Sequence, residues 1–161
     1  MGWFSTNRYN LTSDLVDELE SYWYTKVQAG GMPKRSDIDP CDFVRLLPYI
    51  LLMDIQYEPF RVRYRLIGTQ VALHSRLDFT GYYLDQLTFN PAAVDFGRVY
   101  REICVLKVPI YGVSEIPCVD TAYKGFYFAV FPLSEDGDTV SQCIAVEDYR
   151  AVSAFDRRRK M

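Results

Sequence analysis

Apolar residues recur along this chain in two rhythms, one with helical spacing and one with the period-two alternation of strands. Leu15, Leu19, Tyr22 and Trp23 fall at i, i+4, i+7 and i+8, which predicts an amphipathic helix over 12–29 with an aromatic stripe. Thr12 or Ser13 caps it, Asp14, Asp17 and Glu18 complement its positive end, and Gly30-Gly31 closes it. Residues 1–11 read as an irregular arm. A second, short helix starts at Asp39-Pro40-Cys41-Asp42, with Asp39 as cap and Pro40 where a missing N–H costs nothing. Phe43, Leu46 and Leu47 make its apolar stripe, and Pro48 ends it.

The run 49–56, YILLMDIQ, reads as a buried strand with one polar interruption, Asp54. Beyond a turn, Phe60, Val62, Tyr64 and Leu66 alternate with Arg61, Arg63 and Arg65, predicting a strand with apolar and cationic faces. The two strands pair as an antiparallel hairpin. Gly68-Thr69 breaks the second one, and Thr69 caps a short helix over Val71, Ala72 and Leu73. A turn at 78–81 and a helical segment around 84–87 follow. Asn90 or Pro91 then opens a helix carrying Val94, Val99, Ile103 and Leu106. Three strands close the pattern, at 108–113, 123–133 and 139–148, the last two joined through Asp136-Gly137.

This order predicts an α+β fold: a five-stranded antiparallel sheet with short helices on one face and an N-terminal amphipathic helix. The strand from Phe126 to Phe131 is apolar on both sides, so both faces of the sheet must be covered. The 12–29 helix or a second subunit supplies the second cover.

Composition narrows the function classes. The 161 residues divide into an arm and helix over 1–30, a domain over 31–150 and a basic tail over 151–161. Hydrophobic residues at 49% and aromatics at 16% suffice for a packed core. A net charge of −3 supplies no basic field for nucleic acid. The cysteines, Cys41, Cys104, Cys118 and Cys143, form no C-x-x-C, and with one histidine the chain offers no metal site. Without a signal-peptide core or a long apolar run, the expectation is a soluble, cytoplasmic protein with reduced thiols and no membrane contact.

Met32-Pro33, Arg35-Ser36-Asp37-Ile38-Asp39-Pro40, Leu46-Leu47-Pro48, the strand ending Arg65-Leu66-Ile67-Gly68-Thr69 and the pair Thr80-Gly81 form an ordered set. Over about residues 20–148 this set resembles the stand-alone PAS-type domains common in alphaproteobacteria. The resemblance implies a PAS fold, with a five-stranded sheet cradling short helices and, in many relatives, a ligand cavity between them. It also implies a sensory or protein-interaction module of bacterial signalling that dimerises through an N-terminal helix. On that basis Leu15, Leu19, Tyr22 and Trp23 are the expected homodimer contacts. Tyr64, Leu73, His74, Phe126, Phe128 and Val130 are the candidate lining of a small-molecule cavity.

Specific chemistry has weaker support. Bound haem would need His74, the one histidine, as its axial ligand. A flavin photosensor would need the N-C-R-F motif, which the chain lacks, so no cofactor is assigned. Cys41 is the most exposed to activation by a helix N-terminus, but Asp39 and Asp42 oppose its thiolate. Arg35 is expected to pin the loop it stands in. The rival class is a small cone-fold isomerase or dehydratase using Asp54 as general base, although pairing of Asp54 with an arginine across the hairpin competes with that role. The Arg61, Arg63 and Arg65 face is read as solvated, or as facing an acidic signalling partner. No nucleophile–base set appears, and the expectation is a non-catalytic protein.

Overall fold

The computed structural model describes residues 2–9, 11–27, 31–88, 93–115 and 125–150. Cys118, the proposed helix opening at Asn90 or Pro91, Tyr123 and the basic tail lie outside the described residues. Six strands form one antiparallel sheet: β1 (Trp3–Ser5), β2 (Ile50–Gln56), β3 (Arg61–Ile67), β4 (Ile110–Glu115), β5 (Gly125–Leu133) and β6 (Gln142–Asp148). Their spatial order is β1-β4-β5-β6-β2-β3, so β5 and β6 occupy the centre. The five expected strands are present. The sixth, β1, comes from the segment read as an irregular arm, where Phe4 sits opposite Gly112 of β4. A Cβ on Gly112 would lie 2.3 Å from the Trp3 carbonyl and 2.5 Å from the Phe128 ring. The missing side chain lets a strand and an aromatic ring close in from two sides.

Both faces of the sheet are buried. Leu51, Met53, Phe126, Phe128, Val130 and Ala145 point to one core, together with α2 (Thr69–Ser75) and α3 (Phe96–Leu106). Ile50, Leu52, Phe131, Leu133, Ile144 and Val146 point to the other. There they meet α1 (Asp14–Lys26) and a 3-10 helix, Pro40–Tyr49. The helices therefore divide between the two faces rather than gathering on one. This is what an all-apolar central strand demands, since neither of its sides tolerates water.

The α1 helix supplies the second cover from within the chain. Ser13 caps it, accepting from the Val16 N–H and donating to the buried Asp148 carboxylate at 2.7 Å. Its stripe of Leu15, Leu19 and Trp23 is buried on the sheet, and Tyr22 is half-buried. The Trp23 indole N–H donates to the Pro132 carbonyl at 3.0 Å. These residues were expected at a homodimer seam, and here their apolar surface is spent inside one chain. Within 2–9 and 11–27, β1 and α1 pack against the sheet.

The Arg35–Asp42 block docks on the same helix. The Tyr22 hydroxyl donates to Asp42 at 2.8 Å and accepts from the Asp39 N–H at 2.9 Å. Arg35 reaches the Ile38 carbonyl, and Asp39 caps the 3-10 helix through the Cys41 N–H. At the end of β3, Gly68 and not Thr69 is the cap of α2, with no side-chain bond. A Cβ there would lie within about 2.5 Å of the Leu47 and Pro48 carbonyls, which explains why Leu-Leu-Pro and Gly-Thr occur together. The α3 helix begins at Phe96, later than expected, because the Asp95 carboxylate caps the Arg98 N–H.

Replacing Trp23 by Ala removes a buried ring and orphans the Pro132 carbonyl. Trp23→Ala is expected to lower unfolding free energy by about 3–5 kcal/mol in urea titrations, with the oligomeric state in light scattering unchanged. Dissociation of a dimer without loss of stability would contradict this use of the stripe.

Candidate functional site

Among the described residues, two cavities lie on the α2/α3 side of the sheet. The larger, about 450 Å³, is an open groove between β3 and α3, walled by Phe60, Val62, Val94 and Phe96. Its charges are already engaged. Arg61 forms a two-pronged pair with Asp85 at 2.7 and 2.8 Å, and the Arg101 guanidinium lies over the Phe60 ring at 4.6 Å. The smaller cavity, about 100 Å³, is walled by the rings of Tyr64, Phe79, Phe96 and Phe126. Leu77 and Thr88, both exposed, stand with Ser75 and Leu87 around it. One acidic group faces in, the carboxylate of Glu147. The smaller cavity is the better candidate site because an ionisable group meets an apolar enclosure there.

Its walls follow from strand alternation. On β6, Cys143 and Ala145 point into the α2/α3 core, and Glu147 is next in that period. Phe126 on β5 and Tyr64 on β3 reach the cavity by the same rule, and Tyr64 meets Phe79 edge-on at 4.7 Å. The Tyr149 hydroxyl donates to Glu147 Oε2. Behind it, the Tyr149 ring stacks on His74 at 4.0 Å, and the His74 Nδ1–H donates to the Gln70 carbonyl at 2.8 Å. The Tyr64 and Tyr100 hydroxyls lie 3.5 Å apart.

Burial among rings pushes the Glu147 carboxyl up to about 7, and the Tyr149 hydroxyl only partly offsets it. Burial likewise raises both Tyr64 and Tyr100 above the ordinary phenol range. Among the described residues no ion pair reaches Glu147.

The six expected cavity residues separate. Tyr64 and Phe126 line the cavity. Phe128 and Val130 are packed solid in the core, farther along β5, and line neither cavity. Leu73 is 66% exposed and faces solvent, because the opposite side of α2 carries the buried Val71. His74 supports Tyr149 from outside the lining. A 100 Å³ space is smaller than the ~150 Å³ that admits benzene, so it does not admit a haem macrocycle. The chain composition concealed Glu147, which drew no notice beside Asp148, yet the Cys143–Ala145–Glu147 alternation points straight to it.

Asp54 lies elsewhere. Arg65 at 3.1 Å and the Gln142 amide at 2.7 Å hold its carboxylate, and it lines neither of these cavities. Arg65 and Arg61 are paired across the outer face of β3. Asp39 chiefly, with Asp42, raises the Cys41 thiol, while burial raises Cys104 and Cys143. Among the described residues no cluster of three metal-ligating side chains occurs, and no helix is long and apolar enough to cross a membrane.

A carboxyl that holds its proton more tightly when folded stabilises the fold while protonated. That contribution is complete below about 4.5 and is lost as pH rises through about 7. Wild-type protein is therefore expected to lose on the order of 2 kcal/mol relative to Glu147→Gln between about pH 5 and pH 8, read by chemical denaturation at each pH. Parallel pH profiles would contradict the placement of Glu147.

A family model described as a PAS domain matches residues 12–145. Among solved structures, an RNA-binding light-oxygen-voltage receptor superposes with a TM-score of 0.57 at 12% identity, covering 99% of this chain. The chain spans only 41% of that receptor, and at this identity the likeness speaks for the fold alone. No curated protein matches the sequence significantly. The family match runs from the cap of α1 nearly to the end of β6, so both covers of the sheet and most of the cavity wall fall inside it: the chain belongs to the PAS domain family.

Proposed function

We propose that this chain is a non-catalytic sensory module of bacterial cytoplasmic signalling, which takes a small molecule into the Glu147 cavity and reports to a protein partner. The observation that carries this reading is one ionisable carboxyl in an aromatic enclosure with no metal cluster among the described residues. Family membership supports a sensing or interaction role. A homodimer remains part of the proposal, but it must use a surface other than the buried stripe of α1.

The light sensing and RNA binding of the structural neighbour belong to that receptor. The N-C-R-F motif is missing here, and the net charge of −3 disfavours a nucleic-acid partner. Several arginines are moreover already committed, Arg8 to Asp17 and Arg45 to Glu18 among them.

Native mass spectrometry of freshly purified protein, with its visible spectrum, tests the reading. Wild-type protein is expected to carry a low-mass adduct without haem or flavin absorbance. Phe126→Trp, which fills the cavity, is expected to lack that adduct. Protein that is always empty, or an adduct indifferent to Phe126→Trp, would move the function from ligand sensing to protein interaction alone.

A further inference from the structure

We propose that the cavity closed by Glu147 is a site for a small organic monocation, an alkylammonium or quaternary ammonium of about four or five heavy atoms. The inference rests on the cavity being the ligand site, and adds the class of ligand. Three observations carry it. The enclosure is walled by four aromatic rings, Tyr64, Phe79, Phe96 and Phe126, whose faces attract cations and repel anions. Its one acidic group is Glu147, which has no cationic partner among the described residues. The space is about 100 Å³, roughly two-thirds of one that holds benzene.

Among the described residues, the groups facing Glu147 contain no competing positive charge. Tyr149, just beyond the end of β6, donates its hydroxyl, and Tyr64 from β3 and Tyr100 from α3 are phenols near the carboxylate. Ser75 from α2 and Thr88 contribute hydroxyls to the lining. His74 is separated from the cavity by stacking on Tyr149, and Cys143 is buried farther down β6. Asp148 points to the opposite face, where Ser13 and Arg150 hold it.

An anionic ligand would share the space with four aromatic side chains and a carboxylate. A neutral one would leave Glu147 without a counter-charge. A cation satisfies both, with its charge on Glu147 and its alkyl surface against the rings. Binding must then displace the proton that Glu147 carries in part near neutrality, so affinity rises with pH until the carboxyl is fully ionised.

Isothermal titration calorimetry on the whole chain tests this with four probes: n-propylammonium, tetramethylammonium, 1-propanol and propionate. At about pH 8, at least one of the two cations is expected to bind ten times or more tighter than propanol or propionate. With a carboxyl at about 7, that affinity falls roughly tenfold at about pH 6. Glu147→Gln is expected to weaken the cation tenfold or more while leaving propanol unchanged. Leu77→Trp, at the exposed rim, is expected to block the cation without disturbing the core, which keeps the test decisive if Glu147→Gln folds poorly.

Equal binding of propanol or propionate, or cation binding indifferent to pH and to both substitutions, would overturn the assignment. So would no binding of either cation. Failure here with a retained adduct in native mass spectrometry leaves ligand sensing standing and rejects only the cation. Failure of both removes the site.

Discussion

The structure depends on one constraint: the central strand β5 has no side that can face water. Phe126, Phe128 and Val130 fill one face and Ala129, Phe131 and Leu133 the other. A sheet built around such a strand needs two covers, and each consumes a different part of the chain. The α1 helix and the Pro40–Tyr49 helix form one, and α2 and α3 the other. The second cover is pieced together from short segments, and the Glu147 cavity and the β3/α3 groove lie on that side.

Polar contacts fix where the covers sit. The Ser13 cap bonds the buried Asp148, and Tyr22 bridges Asp39 and Asp42. Each bond individually contributes modestly to net stability, but burying any of these groups without its partner would cost more than the bond contributes. Their main effect is therefore on register, which fixes the angle at which α1 lies across the sheet. The Asp136 carboxylate plays a similar part in the β5–β6 turn. It accepts from the Asp138 and Thr139 N–H groups and from Ser134, and these donors hold its pKa down to about 2.

Most of the fold was legible in the chain. Period-two and helical spacing located five strands, α1 and the hairpin, because each of those elements buries one face or both. The two-sided burial of β5 was legible for the same reason. β1 was missed because three residues carry no periodicity, and its pairing depends on Gly112, far along the chain. Val94, expected inside the next helix, instead precedes α3, whose cap is the less conspicuous Asp95. In the site, aromatic residues announced themselves by composition, but which of them line a space depends on packing. Tyr64 and Phe126 line the cavity, whereas Phe128, two residues along the same strand face, is sealed in solid core. Leu73 was misassigned because a seven-residue helix is too short for its apolar positions to define a face. Glu147 was legible in principle, from the alternation of β6, and was obscured by its acidic neighbour.

That neighbour has a mechanical consequence. Glu147 and Asp148 are consecutive, so their Cα atoms are tied about 3.8 Å apart by one peptide bond, while their side chains serve opposite faces of the sheet. One meets the cavity, and the other holds the cap of α1 together with Arg150. The end of β6 is therefore a single joint with two loads. A backbone displacement at Glu147 also shifts Asp148, and with it the contact that holds the cap of the helix on the far side.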